Sequence, residues 1–139
     1  MRAVYDLACR EPGAVVQTRD VAAAQGLRES YLAKVIQSLV RARLLRTVRG
    51  SRGGVALARP AAEISVREVL EAVEGPIELH RCAAPPGSCQ PDECGTHDLW
   101  AGVESLLTTT LEQTDFEALA RRGRAKTGGT RVAGASLGR

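Results

Sequence analysis

Three cysteines and one histidine lie within sixteen residues, as Cys82, Cys89, Cys94 and His97. Glycines and prolines are interleaved with them, and the segment has no large apolar residue that a core could bury. Three thiolates and an imidazole form a full tetrahedral set for Zn²⁺, and they also suit an iron–sulfur cluster. The usual zinc and ferredoxin patterns contain Cys-x2-Cys, which is absent here, so the wider spacing favours a cluster with ligands on two irons.

The remaining composition argues against catalysis and against membrane insertion. The only histidines are His80 and His97, and neither a Ser/His/Asp set nor a glycine-rich phosphate motif before a helix is visible. No stretch approaches the roughly 18 uncharged apolar residues of a membrane helix, and residues 1–9 lack a signal-peptide core. We therefore expect a cytoplasmic protein that is not an enzyme. Cys9, far from the other cysteines, is predicted to be a buried thiol in the first helix.

Opposite charges are segregated along the chain, although the net charge is only +3. Residues 1–60 carry eleven Lys/Arg and four Asp/Glu, residues 61–120 carry two and twelve, and residues 121–139 carry six and none. A basic first half followed by an acidic middle indicates that the first half meets a polyanion.

The first half has the periodicity of a helix-turn-helix. Helices are predicted over about residues 3–10, over residues 19–25 ending at Gly26, and over about residues 29–42. The third helix has apolar residues at i, i+3, i+4, i+7 and i+8, which are Leu32, Val35, Ile36, Leu39 and Val40. Its opposite face carries Ser30 and Lys34. A helix, a tight glycine turn and a second helix form the DNA-binding arrangement.

A basic hairpin follows these helices. Strand-like runs at residues 44–48 and 55–58 flank Arg49-Gly50-Ser51-Arg52-Gly53-Gly54, whose glycines permit a tight turn and whose arginines make it cationic. A helix-turn-helix followed by such a hairpin is a winged helix. The predicted fold is therefore mostly α with a small β-hairpin, with a winged helix-turn-helix DNA-binding domain over residues 1–76.

The second half of the chain is predicted to contain the cluster ligands and the contact between two subunits. A capping box from Ser65 to Glu68 begins a fourth helix, and residues 77–96 form the cluster-binding loop. Residues 97–121 are predicted as a C-terminal dimerisation helix to about residue 113 and a short last helix that begins at a Thr114–Glu117 capping box. The apolar stripe of the longer helix exceeds what one small core covers: Leu99, Trp100, Val103, Leu106, Leu107 and Leu111. Residues 122–139 are predicted to be a disordered basic tail.

Residues 2–121 resemble the IscR-type family of bacterial winged-helix iron–sulfur regulators. In the winged helix, the resemblance lies in Ser30-Tyr31-Leu32, Val48-Arg49-Gly50 and Leu57-Ala58-Arg59-Pro60. The run from Cys94 to Trp100, with the sequence CGTHDLW, is its more specific part. The resemblance implies a homodimeric transcriptional regulator, and a symmetric dimer is expected to bind a partly palindromic double-stranded DNA operator.

The resemblance also implies roles for particular residues. In that family three cysteines and a histidine hold a [2Fe–2S] cluster, which corresponds here to Cys82, Cys89, Cys94 and His97. A related nitric-oxide-sensing branch holds [4Fe–4S] with an acidic ligand from the first helix, so that cluster is a second expectation, and zinc is the alternative metal. The expected DNA contacts come from the recognition helix and the wing: Arg28, Ser30, Tyr31, Lys34, Arg49 and Arg52.

The sequence departs from the family's pattern at three points. Met1 falls within the family's first helix, Ala33 stands where a glutamate is frequent, and the cysteine spacing is six then four rather than five and five. Two rival functions stay open beside cluster sensing. One is a zinc-stabilised DNA-binding regulator that senses no cluster, and the other is a cluster-carrying protein with no role on DNA.

Overall fold

The computed structural model describes residues 1–50, 53–79 and 94–128. They form helices, one hairpin and one 3₁₀ helix (Ala61–Glu63), in the order α1 (Arg2–Ala8), α2 (Thr18–Gln25), α3 (Glu29–Arg41), β1 (Leu45–Val48), β2 (Gly54–Leu57), α4 (Val66–Glu74), α5 (His97–Glu112) and α6 (Phe116–Gly128). The expected fold, mostly α with a small hairpin, is confirmed. None of the helices in these residues has the length and apolar composition that a bilayer span requires.

The turn between α2 and α3 depends on one glycine. Gly26 ends α2 with φ +63° and ψ 29°, a left-handed conformation that other residues adopt at a cost. Leu27 then donates its backbone N–H to the Ala22 carbonyl at 2.9 Å, which redirects the chain into α3. Leu32, Ile36 and Leu39 of α3 are buried in the core, as the periodicity predicts.

The wing is a two-stranded hairpin tied to the helices by a third segment. β1 and β2 pair antiparallel, with Leu45 opposite Leu57. Val16, in the chain between α1 and α2, exchanges two backbone hydrogen bonds with Val55 of β2, at 2.9 and 2.8 Å. Because Leu45 and Val55 are buried, the base of the wing is part of the core rather than an attached loop.

The predicted capping box at the start of α4 is confirmed. The Ser65 hydroxyl accepts from the Glu68 backbone N–H at 3.2 Å, and the Glu68 carboxylate accepts from the Ser65 backbone N–H at 2.9 Å. Arg59, just after the wing, donates to the other oxygen of the same carboxylate. Partial burial by itself would raise the pKa of Glu68, but the hydrogen bonds from Arg59 and Ser65 outweigh it and lower that pKa.

The last helix corrects the predicted C-terminal boundaries. α6 runs to Gly128, so its last seven residues fall in the segment expected to be a disordered tail from residue 122. Its N-cap also differs, because Asp115 accepts from the Ala118 backbone N–H at 2.7 Å whereas the Thr114 hydroxyl donates back to the Thr110 carbonyl. Alanine, arginine and lysine favour the helix, and packing against α1 supplies the contacts that local sequence cannot reveal.

α6 returns to the core of the winged helix. Val66 N–H donates to the Thr114 carbonyl at 2.8 Å, and Phe116 N–H donates to the Ile64 carbonyl at 3.1 Å. Phe116 is fully buried in the same hydrophobic cluster as α1, α3 and the wing. The separation of residues 1–76 from residues 97–121 is therefore not a boundary between two cores. The predicted loop residues 80–93 and tail residues 129–139 lie outside the described parts of the chain.

We expect Glu68→Gln to lower the free energy of unfolding of the apoprotein by about 0.5 kcal/mol at neutral pH, a small effect because the ion pair is largely solvated. The pKa of Glu68 is lowered by folding, so its contribution is complete above the ordinary glutamate pKa of about 4.3 and is lost as the pH falls through the folded value. Urea unfolding at pH 7 and below pH 4 checks this. Glu63→Gln, an exposed carboxylate in the preceding 3₁₀ helix, is the control, and an equal deficit at both pH values would contradict the assignment.

Candidate DNA-binding face and metal-ligand residues

The first turns of α3 bring together four of the residues predicted to contact DNA. Arg28 is the N-cap of α3, and Ser30, Tyr31 and Lys34 follow within its first two turns. They line one open groove of about 530 Å³ on the outer side of the helix-turn-helix. Their clustering follows from helix geometry, since residues three and four apart share a face.

The outer face of α3 is exposed because its other face is committed to the core. Leu32 and Leu39 are buried, whereas Tyr31 is 54% exposed and presents an aromatic ring beside the Lys34 ammonium. The dipole of α3 adds partial positive charge at its N-terminal end, where Arg28 stands. This combination suits phosphate oxygens at the helix start and base edges one turn later.

Leu27 belongs to the same groove, although sequence reasoning missed it. Its side chain is 39% exposed, immediately after Gly26, and lies outside the apolar period of both neighbouring helices. An apolar residue in a glycine turn that no helical face requires was the available signal. A leucine there can contact a thymine methyl group or a sugar.

The wing places a second cationic group after β1. Arg49 is exposed and is followed by Gly50, whose φ of +122° begins the turn of the hairpin. Arg52, the other predicted wing contact, lies outside the described residues. The described part of the wing therefore presents a cationic side chain where the hairpin leaves the core.

Two of the four predicted metal ligands lie together at the start of α5. The His97 backbone N–H donates to the Cys94 carbonyl at 2.9 Å, so both residues belong to one turn. Thr96 occupies the N-cap position without capping the helix, and its hydroxyl lies 3.4 Å from the Cys94 sulfur. Cys82 and Cys89 lie outside the described residues, so the ligand set stays a prediction.

One nitrogen of the His97 imidazole meets no partner among the residues that the structure describes. His97 Nδ1 is buried and has no hydrogen-bond partner within the described segments. An unsatisfied buried polar atom costs about 1–3 kcal/mol, and coordination to a metal removes that cost. A half-buried thiol one turn away adds a second donor suited to iron or zinc. The residues present therefore fit a cluster or metal ligated from this turn.

The chain that leads into residues 80–93 is also fixed on α5. The Leu79 backbone N–H donates to the Glu104 carboxylate at 3.2 Å. Arg67 of α4 donates to Glu112 near the other end of α5 at 3.0 Å. Glu104 is seven positions after His97 and so lies on nearly the same face of α5. Both described ends of the predicted cluster loop therefore meet one helix.

Most of the predicted apolar stripe of α5 is exposed. No residue of this helix is buried, and the exposed fractions are 63% for Leu99, 41% for Val103 and 71% for Leu106. Leu107 and Leu111 are half-buried on the neighbouring face, and Leu111 packs against the core. A contiguous exposed aliphatic face on a helix of this length is typical of a contact surface.

The fold and the exposed basic face of α3 define a winged-helix DNA-binding protein. The family model for Rrf2, described as iron-dependent transcriptional regulators, matches residues 1–122. The chain belongs to the Rrf2 family, and it is therefore a DNA-binding transcriptional regulator. The family-level resemblance found in the sequence is confirmed.

Individual relatives agree with this assignment. A Mycobacterium tuberculosis protein named as a helix-turn-helix-type transcriptional regulator is 37% identical over 123 residues, covering 86% of this chain and 75% of its own. The regulator IscR of Xenorhabdus nematophila is 33% identical over 119 residues, covering 86% of this chain and 73% of its own. Among solved structures, T. potens IscR superposes with a TM-score of 0.73 at 26% identity over 96% of this chain and 86% of its own.

Proposed function

We propose that this regulator is a homodimer that senses through an iron–sulfur cluster, [2Fe–2S] in type, held by Cys82, Cys89, Cys94 and His97. The observation that carries the proposal is the buried, unsatisfied Nδ1 of His97 one turn from the Cys94 thiol. Support also comes from the relatives named IscR and from the family's description as iron-dependent. When bound, the cluster supplies a redox- and iron-sensitive link among the four ligands.

The proposed ligands lie next to the helix that is proposed to form the dimer contact. His97 is the first residue of α5 and Cys94 lies in the turn just before it. The same helix carries the exposed side chains of Leu99, Val103 and Leu106. Binding or loss of the cluster at these ligands would therefore change the position of α5, the helix that would set the distance between two protomers. The imidazole is neutral and weaker than a thiolate as a ligand, which makes loss of the group easier than from four cysteines.

The DNA-reading part of the proposal uses two elements. Ser30, Tyr31 and Lys34 enter the major groove from the start of α3, with Arg28 on the flanking phosphates. The wing arginines Arg49 and Arg52 reach the adjacent minor groove or phosphates. Two copies related by a two-fold axis would read two half-sites of a partly palindromic operator.

The cluster is tested by the visible spectrum of protein purified without oxygen, together with iron and sulfide counts. Wild type should show charge-transfer bands, and alanine at Cys82, Cys89 or Cys94 should abolish them. His97→Ala should retain a weaker cluster that is lost faster, because three thiolates remain. Cys9→Ala is the matched control and should leave the spectrum unchanged. Colourless wild-type protein with one zinc per chain would overturn the proposal in favour of the zinc alternative.

The dimer is tested by sedimentation of cluster-loaded protein at micromolar concentration. Leu106→Glu places a charge at the centre of the exposed aliphatic face and should weaken self-association by about a hundredfold or more, since an unpaired charge would be buried. Ser105→Glu adds the same charge about 100° around α5 from Leu106, outside the face formed by Leu99, Val103 and Leu106, and should leave the dimer intact. A monomeric wild type, or equal behaviour of the two variants, would rule out this face as the interface.

DNA recognition is tested with the duplex that wild type selects from a random pool. Arg49→Ala should weaken binding and reduce the slope of log affinity against log salt by roughly one. Lys34→Ala should instead relax the preference at one or two base pairs, because a base-edge contact is lost. Arg41→Ala removes an equal charge from the far end of α3 and serves as the control. Failure to select any duplex, with and without the cluster, would favour a cluster-carrying role.

A further inference from the structure

A cavity at the base of the wing is used by neither the DNA-binding face nor the metal-ligand residues. It has a volume of about 510 Å³ and lies where the end of α1, the wing strands, the 3₁₀ helix and α6 meet. Small-molecule sites have volumes of about 300–1,000 Å³. We call it the wing-base cavity. It is large enough for a small organic ligand.

Four arginines from four separate segments line this cavity. Two glutamates also line it, and the full charged set is Arg10, Arg46, Arg59, Arg124, Glu11 and Glu117. Arg10 is neutralised by Asp6 at 3.1 Å and Arg59 by Glu68, and neither acid lines the cavity. Within the described residues Arg46 makes no ion pair. Arginines therefore outnumber acids at the lining, and one of them is available for a ligand.

The rest of the lining is apolar and held in place. Leu57 of β2, Pro60 and the 3₁₀ helix supply aliphatic surface, and the Cys9 thiol opens onto the cavity from the end of α1. Cys9 is half-buried rather than fully buried as the sequence predicted, because α1 ends at Ala8 and leaves the thiol at the cavity. Tyr5 hydrogen-bonds this thiol, which raises the pKa of Tyr5.

α6 forms another part of the wall of the wing-base cavity, close to Tyr5 of α1. Gly123 lies so close to the Tyr5 hydroxyl that a side-chain carbon at this position would collide with it. Glycine therefore permits the close approach of α6 to α1 and places Arg124 at the cavity. The cavity lining therefore combines arginine side chains, aliphatic surface and the closely packed helices α1 and α6.

We propose that the wing-base cavity binds a small organic anion, a carboxylate or phosphate ester with a short apolar body. Arg46 offers the planar fork that pairs with two oxygens of either group, and Leu57 and Pro60 cover the apolar part. β1 carries Arg46 and leads directly to Arg49, so the bound anion contacts the strand that positions the wing. The site is independent of the iron–sulfur proposal, because none of its lining residues is a predicted cluster ligand.

The experiment measures how fast iodoacetamide alkylates Cys9 in the full-length protein, by peptide mass spectrometry. Hexanoate or butyl phosphate at millimolar concentration should slow this reaction in a saturable way, whereas chloride at equal ionic strength should not. Butanol tests the apolar body without the charge and should also fail to protect. Protection by inorganic phosphate equal to that by butyl phosphate would overturn the assignment of an organic anion.

Three variants locate the anion. Arg46→Gln should weaken the apparent affinity by about tenfold, the value of one charge-assisted hydrogen bond. Arg121→Gln removes an exposed arginine of α6 that does not line the cavity and should change nothing. Glu11→Gln should tighten binding, a direction that a damaged fold would not produce. Absence of protection in wild type, or equal effects of Arg46→Gln and Arg121→Gln, would overturn the proposal.

Discussion

Two backbone hydrogen bonds between residues 64–66 and residues 114–116 join the start of α4 to the start of α6 and so bring the last helix back onto the core. Val66 donates to Thr114 and Phe116 donates to Ile64, beside the buried side chains of Ile64, Val66 and Phe116. Their shielding from water strengthens them. Between these points α4 packs on α3, while most of α5 lies outside the core.

This closure leaves the DNA-binding face and α5 on different parts of one small protein. The helix-turn-helix and wing share the aliphatic core, which fixes the exposed face around Tyr31 and Lys34. α5 contributes no buried residue and is held on its flank by the Arg67–Glu112 and Leu79–Glu104 contacts. Polar contacts at a solvated surface are weak individually, so α5 is the element whose position a bound group or a second subunit can most readily change.

Local patterns predicted α3, the wing and the Ser65 capping box because each is specified by residues within about four positions of one another. Local sequence predicted too short an α6, because this helix packs against α1, which is distant in the sequence. Spacing alone groups Leu107 with Leu106, yet Leu107 is half-buried whereas Leu106 is 71% exposed. Their difference depends on how α5 packs against distant segments, which spacing does not reveal. The half-burial of Cys9 likewise depends on segments far along the chain.

The aliphatic composition of the core has a practical consequence. Trp100 is the only tryptophan in the chain, and it stands on α5, 40% exposed and three residues after His97. Its indole emission therefore originates from a single known place, one helical turn from the predicted ligands and on the border of the aliphatic face. The unmodified protein carries its own fluorescent reporter of events at α5, readable by quenching, anisotropy or energy transfer to any visible chromophore bound nearby.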